Sequence, residues 1–271
     1  MIDAVVTRFG LARMPFGRDL PPSRLHRHAD CGEAAARIAW AVADKTIAMI
    51  TGEVGTGKTV AIRAAVADLD PSAHTIIYVG NPATGVRGIL AHVVTALGGR
   101  PVHGTAALAV QAWTVLAGEA AERGRTPVLI LDEAHLLGHD QLESIRMMTN
   151  HDMDSSTPFA TILVGQPTLR HSVRLGVLAA LEQRITVRYQ MKGMTPDETA
   201  GYIRHHLEQA GRTADLFTDD AVAQIHQAAR GKPRTVNNIC TAALIAAAGA
   251  GKNLVDHASA RAAIAEVTAT D

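Results

Sequence analysis

The sequence predicts an α/β protein built on a parallel sheet covered on both faces, with a small all-helical domain after it. Three observations carry that prediction. Short apolar runs rich in β-branched residues alternate with helical stretches up to about residue 192. A glycine-rich loop joins the first of these runs to a helix. After Thr195 the strand signals stop and only capped helical segments follow.

Taken in order, residues 1–28 read as an irregular segment, because Pro15, Pro21 and Pro22 break any long element. This segment carries Arg8, Arg13, Arg18, Arg24 and Arg27 against Asp3 and Asp19. Residues 33–44 place Ala35, Ile38, Ala39 and Val42 on one helical face. Strands are expected at 47–51, 75–79, 127–131, 159–164 and 185–189, and helices at 58–68, 84–97 and 105–123. Thr195-Pro-Asp-Glu198 is a capping box with proline at the first helical position, and Gly211 ends that helix. Helices over 217–230, 233–248 and 257–267 complete the chain. The expected organisation is an N-terminal segment (1–28), an α/β core (29–193) and a helical domain (194–271).

Composition narrows the function. The 271 residues hold 26 Lys+Arg against 26 Asp+Glu, which excludes a globally basic nucleic-acid coat but not a local basic surface. The longest apolar stretch, residues 239–250, is alanine-rich and far short of the roughly 20 residues a membrane span needs. No signal peptide opens the chain, and Cys31 and Cys240 form no framework, so a cytoplasmic protein with no membrane role is expected.

Gly52-Glu53-Val54-Gly55-Thr56-Gly57-Lys58-Thr59, running into Val60, matches G-x-x-x-x-G-K-[ST] between a strand and a helix. The glycines let backbone N–H groups curl round a phosphate, and the helix N-terminus adds partial positive charge. Lys58 is placed to reach the β- and γ-phosphates of ATP, and the Thr59 hydroxyl to bind Mg²⁺. Val128-Leu-Ile-Leu ends a buried strand with Asp132 and Glu133 at its carboxyl edge, where ligands of open parallel sheets bind. Asp132 is expected to hold Mg²⁺ and Glu133 to orient and deprotonate the attacking water.

His135 completes the letters DEAH, but 271 residues do not accommodate two helicase cores, and His135 reads as a polar residue opening the next helix. Gln166, after the fourth strand, either bonds the γ-phosphate or water, or is a turn residue. Arg184, just before the fifth strand, is either a cation reaching a neighbouring subunit's site or a solvated arginine, with Arg188 as its alternate. Arg234 stands in the first turn of a helix of the helical domain, from which it could reach the phosphates. Asn81 is a weaker candidate for holding Glu133 in an inactive pose.

These residues resemble the AAA+ ATPases of the ExeA/TniB/MuB type. The likeness runs from Phe9-Gly-Leu and Pro15-Phe16 through Thr51–Thr59, Leu131-Asp-Glu-Ala-His135, Leu163-Val-Gly-Gln-Pro167 and Gln183-Arg-Ile185 to Gly231-Lys-Pro-Arg234. The resemblance implies an AAA+ P-loop NTPase core with strand order 5-1-4-3-2, a helical lid and homo-oligomeric rings or filaments. It also implies Gln166 as sensor 1, Arg184 as arginine finger and Arg234 as sensor 2. Relatives divide into transposition regulators, which assemble on DNA and direct a transposase, and secretion ATPases, which carry a membrane segment and a cell-wall-binding domain after the ATPase. The sequence ends at Asp271 with neither. The expectation on that ground is an ATP-hydrolysing regulator that binds duplex DNA with little sequence preference and recruits a transposase. The alternative is an ExeA-like secretion or envelope-assembly ATPase acting on protein partners.

The residues themselves add little for DNA. Candidate phosphate contacts are the arginines of residues 1–28 and Arg87, Arg100, Arg170 and Arg174, each equally readable as a surface or intersubunit arginine. The 13 histidines stand at no metal-ligand spacing and read as surface residues.

Overall fold

In the computed structural model, Ile47–Gly52 (β1), His74–Val79 (β2), Thr126–Leu131 (β3), Ala160–Gly165 (β4) and Ile185–Met191 (β5) form one parallel sheet in the order β2-β3-β4-β1-β5. This is the expected order read from the other edge. The structure describes residues 2–17, 19–150 and 157–269. Helices α1 (Ile2–Phe9) and α2 (Ala29–Ala43) precede β1, and α3 (Lys58–Asp68) follows it. Between β2 and β3 run α4 (Gly85–Ala96) and α5 (Thr105–Arg123), and between β3 and β4 runs α6 (His139–Met148). Helices α7 (Pro167–Val173) and α8 (Ala179–Arg184) lead to β5. The chain then continues as α9 (Pro196–Gln209), α10 (Asp219–Ala229), α11 (Pro233–Gly249) and α12 (His257–Thr268).

The chain divides into two compact units, Gly32–Val54 with Lys58–Met191, and Met1–Cys31 with Gly55–Gly57 and Lys192–Asp271. In the sheet unit, β1 and β4 are buried along their whole length, whereas edge strand β5 largely alternates buried and exposed positions and edge strand β2 is half-buried over its first three residues. Central strands covered on both faces must be apolar throughout, and this is why they read as unbroken hydrophobic runs. The order places β1 at a switch point. The chain leaves β1 toward β2 on one side, and leaves β4 toward β5 on the other. The crevice outside the carboxyl ends of β1 and β4 is therefore the site the topology provides.

The helical unit corrects the reading of residues 1–28 as irregular. Ile2–Phe9 is a helix, and Val5 and Phe9, one turn apart, are buried with Val236, Ile239 and Leu244 in one core. The prolines behind the irregular reading all lie after it. Polar contacts tie the segment down further. Ala12 N–H donates to the Ala210 carbonyl at 2.8 Å, and Arg212 donates to the Phe9 carbonyl at 2.5 Å. Arg8 donates to the carbonyls of Lys252 and Gly251, and Arg13 to that of Gln209. Two of the candidate DNA arginines are thus bonded to the backbone of their own unit; Arg18 lies outside the described residues.

Caps fix the helix starts as the sequence indicates. Thr195 Oγ1 accepts from Glu198 N–H at 3.3 Å, and Glu198 returns the bond to Thr195 N–H at 2.8 Å. Thr218 and Asp256 cap α10 and α12 with single side-chain bonds, accepting from Ala221 N–H and Ser259 N–H. Helix α2 begins four residues earlier than the apolar stripe suggested, at Ala29, whose N–H donates to Glu198 at 2.7 Å.

The histidines do not all lie on the surface. His206 is 5% exposed, stacked on Phe16 with ring centroids 5.3 Å apart and tilted against Tyr202 at 4.5 Å. His205 and His26 complete the cluster. Cys31 and Cys240 are buried free thiols.

Gly231, at φ +67°, would place an added Cβ 2.1 Å from the Met194 carbonyl oxygen, where Met194 N–H also bonds the Gly231 carbonyl at 2.9 Å. Gly231→Ala should destabilise the protein by at least about 2 kcal/mol in urea unfolding. Gly249→Ala, with nothing within 4 Å of the added carbon, should be neutral or stabilise by about 0.5–1 kcal/mol. Equal midpoints for the two variants would show that the Gly231–Met194 crossing tolerates a side chain. Burial, reinforced by His205, His26 and Arg13, pushes the His206 imidazole down to about 4 from 6.5. Between those values the unfolded chain binds the extra proton and the folded one does not, so acidification favours unfolding. Stability should fall from pH 6.5 to 4 by up to about 3 kcal/mol, and His206→Phe should flatten that slope. An unchanged slope in the variant would assign the acid sensitivity elsewhere.

Candidate nucleotide site

The site is assembled at strand ends. Leu131 pairs with Leu163, and Thr51 with Gly165. Gly52 at the end of β1 with Glu53 after it, Asp132 with Glu133 past β3, and Gln166 past β4 therefore lie at one end of the sheet.

Past β1, Gly55 and Gly57 take φ +84° and +92°, left-handed values that a side chain resists. Such turns aim successive N–H groups inward as an anion-binding concavity. Thr56 between them is fully buried, while Glu53 and Val54 are exposed. Lys58, at the start of α3 and 8% exposed, donates from Nζ to the carbonyls of Gly52 at 2.8 Å and Glu53 at 3.0 Å. Its ammonium is thereby held over the loop. Thr59 is exposed and Val60 half-buried on the first turn of α3.

Past β3, Asp132 is 4% exposed. Its Oδ2 accepts from Thr59 Oγ1 at 3.2 Å and from the Tyr78 hydroxyl at 2.9 Å, and its Oδ1 from Glu133 N–H at 2.9 Å. Tyr78 carries no signal in the sequence, because pairing across strands joins β2 to β3 and the motif lies wholly on β3. Burial and the Asp132 bond push the Tyr78 phenol up to about 12, so it stays a donor. Thr59 and Asp132 present hard oxygen donors side by side, the donor set that suits Mg²⁺ carried in with a polyphosphate. No cluster of three or more His, Cys, Asp or Glu among the described residues is arranged to hold a metal by itself.

Glu133 is half-buried and left-handed, at φ 55° and ψ 32°. That conformation costs an L-residue about 1–2 kcal/mol. It feeds a 3-10 turn, Ala134–Leu136, rather than the helix expected to begin at His135; α6 starts only at His139. The turn folds His135 back against β4. There its Nδ1 lies 3.3 Å from Glu133 Oε2 and accepts from Gln166 N–H at 3.4 Å. His135 is therefore part of the site and not an ordinary surface residue. Gln166 is half-buried and starts α7 without a side-chain capping bond.

The remaining candidates stand apart from these groups. Asn81 accepts from Ala83 N–H at 3.0 Å, capping its own turn. Arg184 ends α8 and donates to Thr149 Oγ1 at 3.0 Å and Asn150 Oδ1 at 3.4 Å, at the end of α6. Arg188 donates to the Glu182 carbonyl and lines an open groove of about 500 Å³ with Glu33, Arg37 and Trp40. Arg170 bonds Gln190. In the helical unit, Arg234 N–H donates to the Gly55 carbonyl at 3.3 Å, and a Cβ on Gly55 would meet Arg234 Cβ at 3.1 Å.

Known proteins share this architecture. A family profile described as AAA domain matches residues 42–173. General secretion pathway protein A of Aeromonas hydrophila is 34% identical over 265 residues, which cover 96% of this chain and 48% of that protein. The chain thus spans about half the length of this curated relative. Cdc6p of Pyrobaculum aerophilum superposes with a TM-score of 0.67 at 18% identity, over 89% of this chain and 67% of that one. A Drosophila ORC structure bound to DNA gives 0.67 at 17%, over 98% and 66%. The Thermotoga maritima RuvB branch-migration motor gives 0.54 at 16%, over 87% and 68%. At these identities the structural likenesses establish the fold, which is that of an AAA+ P-loop NTPase core. No helix of the described residues is long and apolar enough to cross a membrane.

Proposed function

We propose that this chain is an ATP-hydrolysing AAA+ module of the ExeA-like type, acting on protein partners in secretion or envelope assembly. The observation that carries the reading is the 34% identity to General secretion pathway protein A across 96% of the chain, joined to the strand-end geometry above. In this reading residues 52–60 cradle the phosphates, and Lys58 leaves the loop carbonyls for the β- and γ-oxygens. Thr59 and Asp132 hold Mg²⁺, whose contribution when bound is to neutralise charge on the phosphate oxygens. Tyr78 and Thr59 keep the Asp132 carboxylate aimed. Glu133 accepts the proton of the attacking water, and Gln166 bonds the γ-phosphate or that water.

Arg234 would report the nucleotide state through its contact with Gly55. Arg184 is the preferred finger for a neighbouring subunit in a homo-oligomer, with Arg188 as its alternate. The transposition-regulator reading, with duplex DNA and a transposase as partners, has weaker support. The ORC likeness is one of fold alone, and the point at which a chain spanning half of its relative ends does not separate the two readings.

The test uses wild-type protein and Glu133→Gln. The wild type should hydrolyse ATP, and the variant should bind ATP within about threefold of it while losing at least about 100-fold in kcat. Unchanged turnover in Glu133→Gln would remove Glu133 as the base. Light scattering and negative-stain microscopy of the variant with ATP should show assemblies whose size is indifferent to random-sequence duplex DNA. Rings or filaments that form on the DNA, or lengthen with it, would overturn the protein-partner reading in favour of transposition regulation.

A further inference from the structure

Glu133 and Gln166 belong to different strand ends, and one imidazole stands between them. His135 has only 12% of its side chain exposed. Its Nδ1 is 3.3 Å from Glu133 Oε2 and 3.4 Å from the Gln166 backbone nitrogen. The approach is built into the backbone. A Cβ on Gly165 would meet the His135 nitrogen at 3.1 Å, Leu169 Cδ2 at 3.2 Å and His135 Cβ at 3.4 Å. Gly165 is not among the residues of positive φ, so the glycine supplies room for the His135 turn and not a special backbone conformation.

A ring nitrogen carries either a lone pair or a proton. With the lone pair, Nδ1 accepts from Gln166 N–H and offers Glu133 Oε2, 3.3 Å away, no hydrogen bond. With the proton, Nδ1 donates to Glu133 and gives up the Gln166 amide. The two bonds exclude each other at one atom. Exchange between the two neutral tautomers moves the proton from Nε2 to Nδ1 through water, so the device gains no charge and requires no co-reactant.

We propose that His135 is a positioning residue that makes the orientation of the Glu133 carboxylate depend on the position of the β4 tip. The proposal rests on Glu133 being the base and on Gln166 meeting the phosphate side of the nucleotide. When the tip shifts toward a bound triphosphate, the Gln166 N–H leaves Nδ1. The tautomer with Nδ1–H then holds Glu133 in a fixed pose. When the tip returns, Glu133 is released. Hydrolytic competence is thus tied to the state of the strand that reads the γ-phosphate.

Side-chain reach supplies the test. His135→Asn keeps a polar amide where Nδ1 stands, His135→Gln moves it to the place of Nε2, and His135→Ala removes it. We expect the Asn variant to keep kcat within about threefold of wild type and the Gln and Ala variants to lose about tenfold or more, with KM and ATP Kd unchanged within about twofold. Gly165→Ala, which pushes the turn off β4 with the imidazole intact, should behave like His135→Ala. Wild-type turnover in the Gln and Ala variants, or an Asn variant as slow as Ala, would overturn the proposal. A second readout is independent of turnover. The ¹⁵N shift of His135 Nδ1, identified by its loss in His135→Asn, should move on adding a non-hydrolysable ATP analogue, and less so in Glu133→Gln. A shift blind to both would also overturn it. Absence of hydrolysis by the wild type would instead condemn the ATPase reading and leave the nitrogen shift to decide the role of His135.

Discussion

The register of three buried strands is the constraint on which the rest depends. Glu53, Asp132 and Gln166 each sit one residue beyond a strand that is sealed on both faces, and Leu131–Leu163 and Thr51–Gly165 pairing sets their level. A slip of one residue between β1 and β4 would turn every side chain of the slipped strand to the opposite face, against neighbours packed to a different shape. Because β1, β3 and β4 consist almost wholly of apolar residues, that slip is opposed along the whole strand and not only at its tip. The precision of the polar groups is therefore inherited from packing some distance beneath them.

Asp132 shows how that precision is used. Three donors converge on one carboxylate, from α3 (Thr59), from β2 (Tyr78) and from the following peptide (Glu133). Each comes from a different element, so the carboxylate is fixed only when the sheet and α3 are all in place. The helical unit relies on a different principle. Both chain ends enter it, with Phe9 and Val5 in its core and Arg8 and Arg212 bonding backbone carbonyls across long sequence separations. Its integrity is set by close backbone crossings such as that at Gly231, where the Met194 carbonyl leaves no room for a side chain.

How much of this the sequence shows depends on whether a signal is local. The phosphate loop, the acidic pair and the Thr195 capping box are local patterns whose geometry follows from a few adjacent residues, and strand order follows from the family they resemble. What stayed hidden is of two kinds. Tyr78 and the His26, His205 and His206 cluster owe their roles to partners distant in sequence, and no spacing rule brings them together. The helix over Ile2–Phe9 is short, and its amphipathic face means little until the hydrophobic surface it covers is known. His135 was misplaced for a third reason. An ordinary helix start was expected after Glu133, and a left-handed glutamate cannot be foreseen from propensity, since non-glycine residues rarely adopt that conformation.

That left-handed glutamate connects the fold to the chemistry. A residue held at φ 55° persists only where its surroundings over-determine it. Here the Glu133 N–H is held by Asp132 Oδ1, and its carbonyl accepts from Leu136 N–H at 2.9 Å. Both backbone groups are thus fixed, while the side chain, 45% exposed, is governed by what stands around it. A carboxylate carried on a rigid, strained backbone can change its aim only through rotation of its own side chain. The group nearest to control that rotation is the imidazole two residues on, which the 3-10 turn brings back to the tip of β4. In ordinary right-handed conformation, Glu133 would let the helix start at once, and His135 would project away from β4. The left-handed turn at one residue leaves the carboxylate, the imidazole and the strand tip within reach of one another.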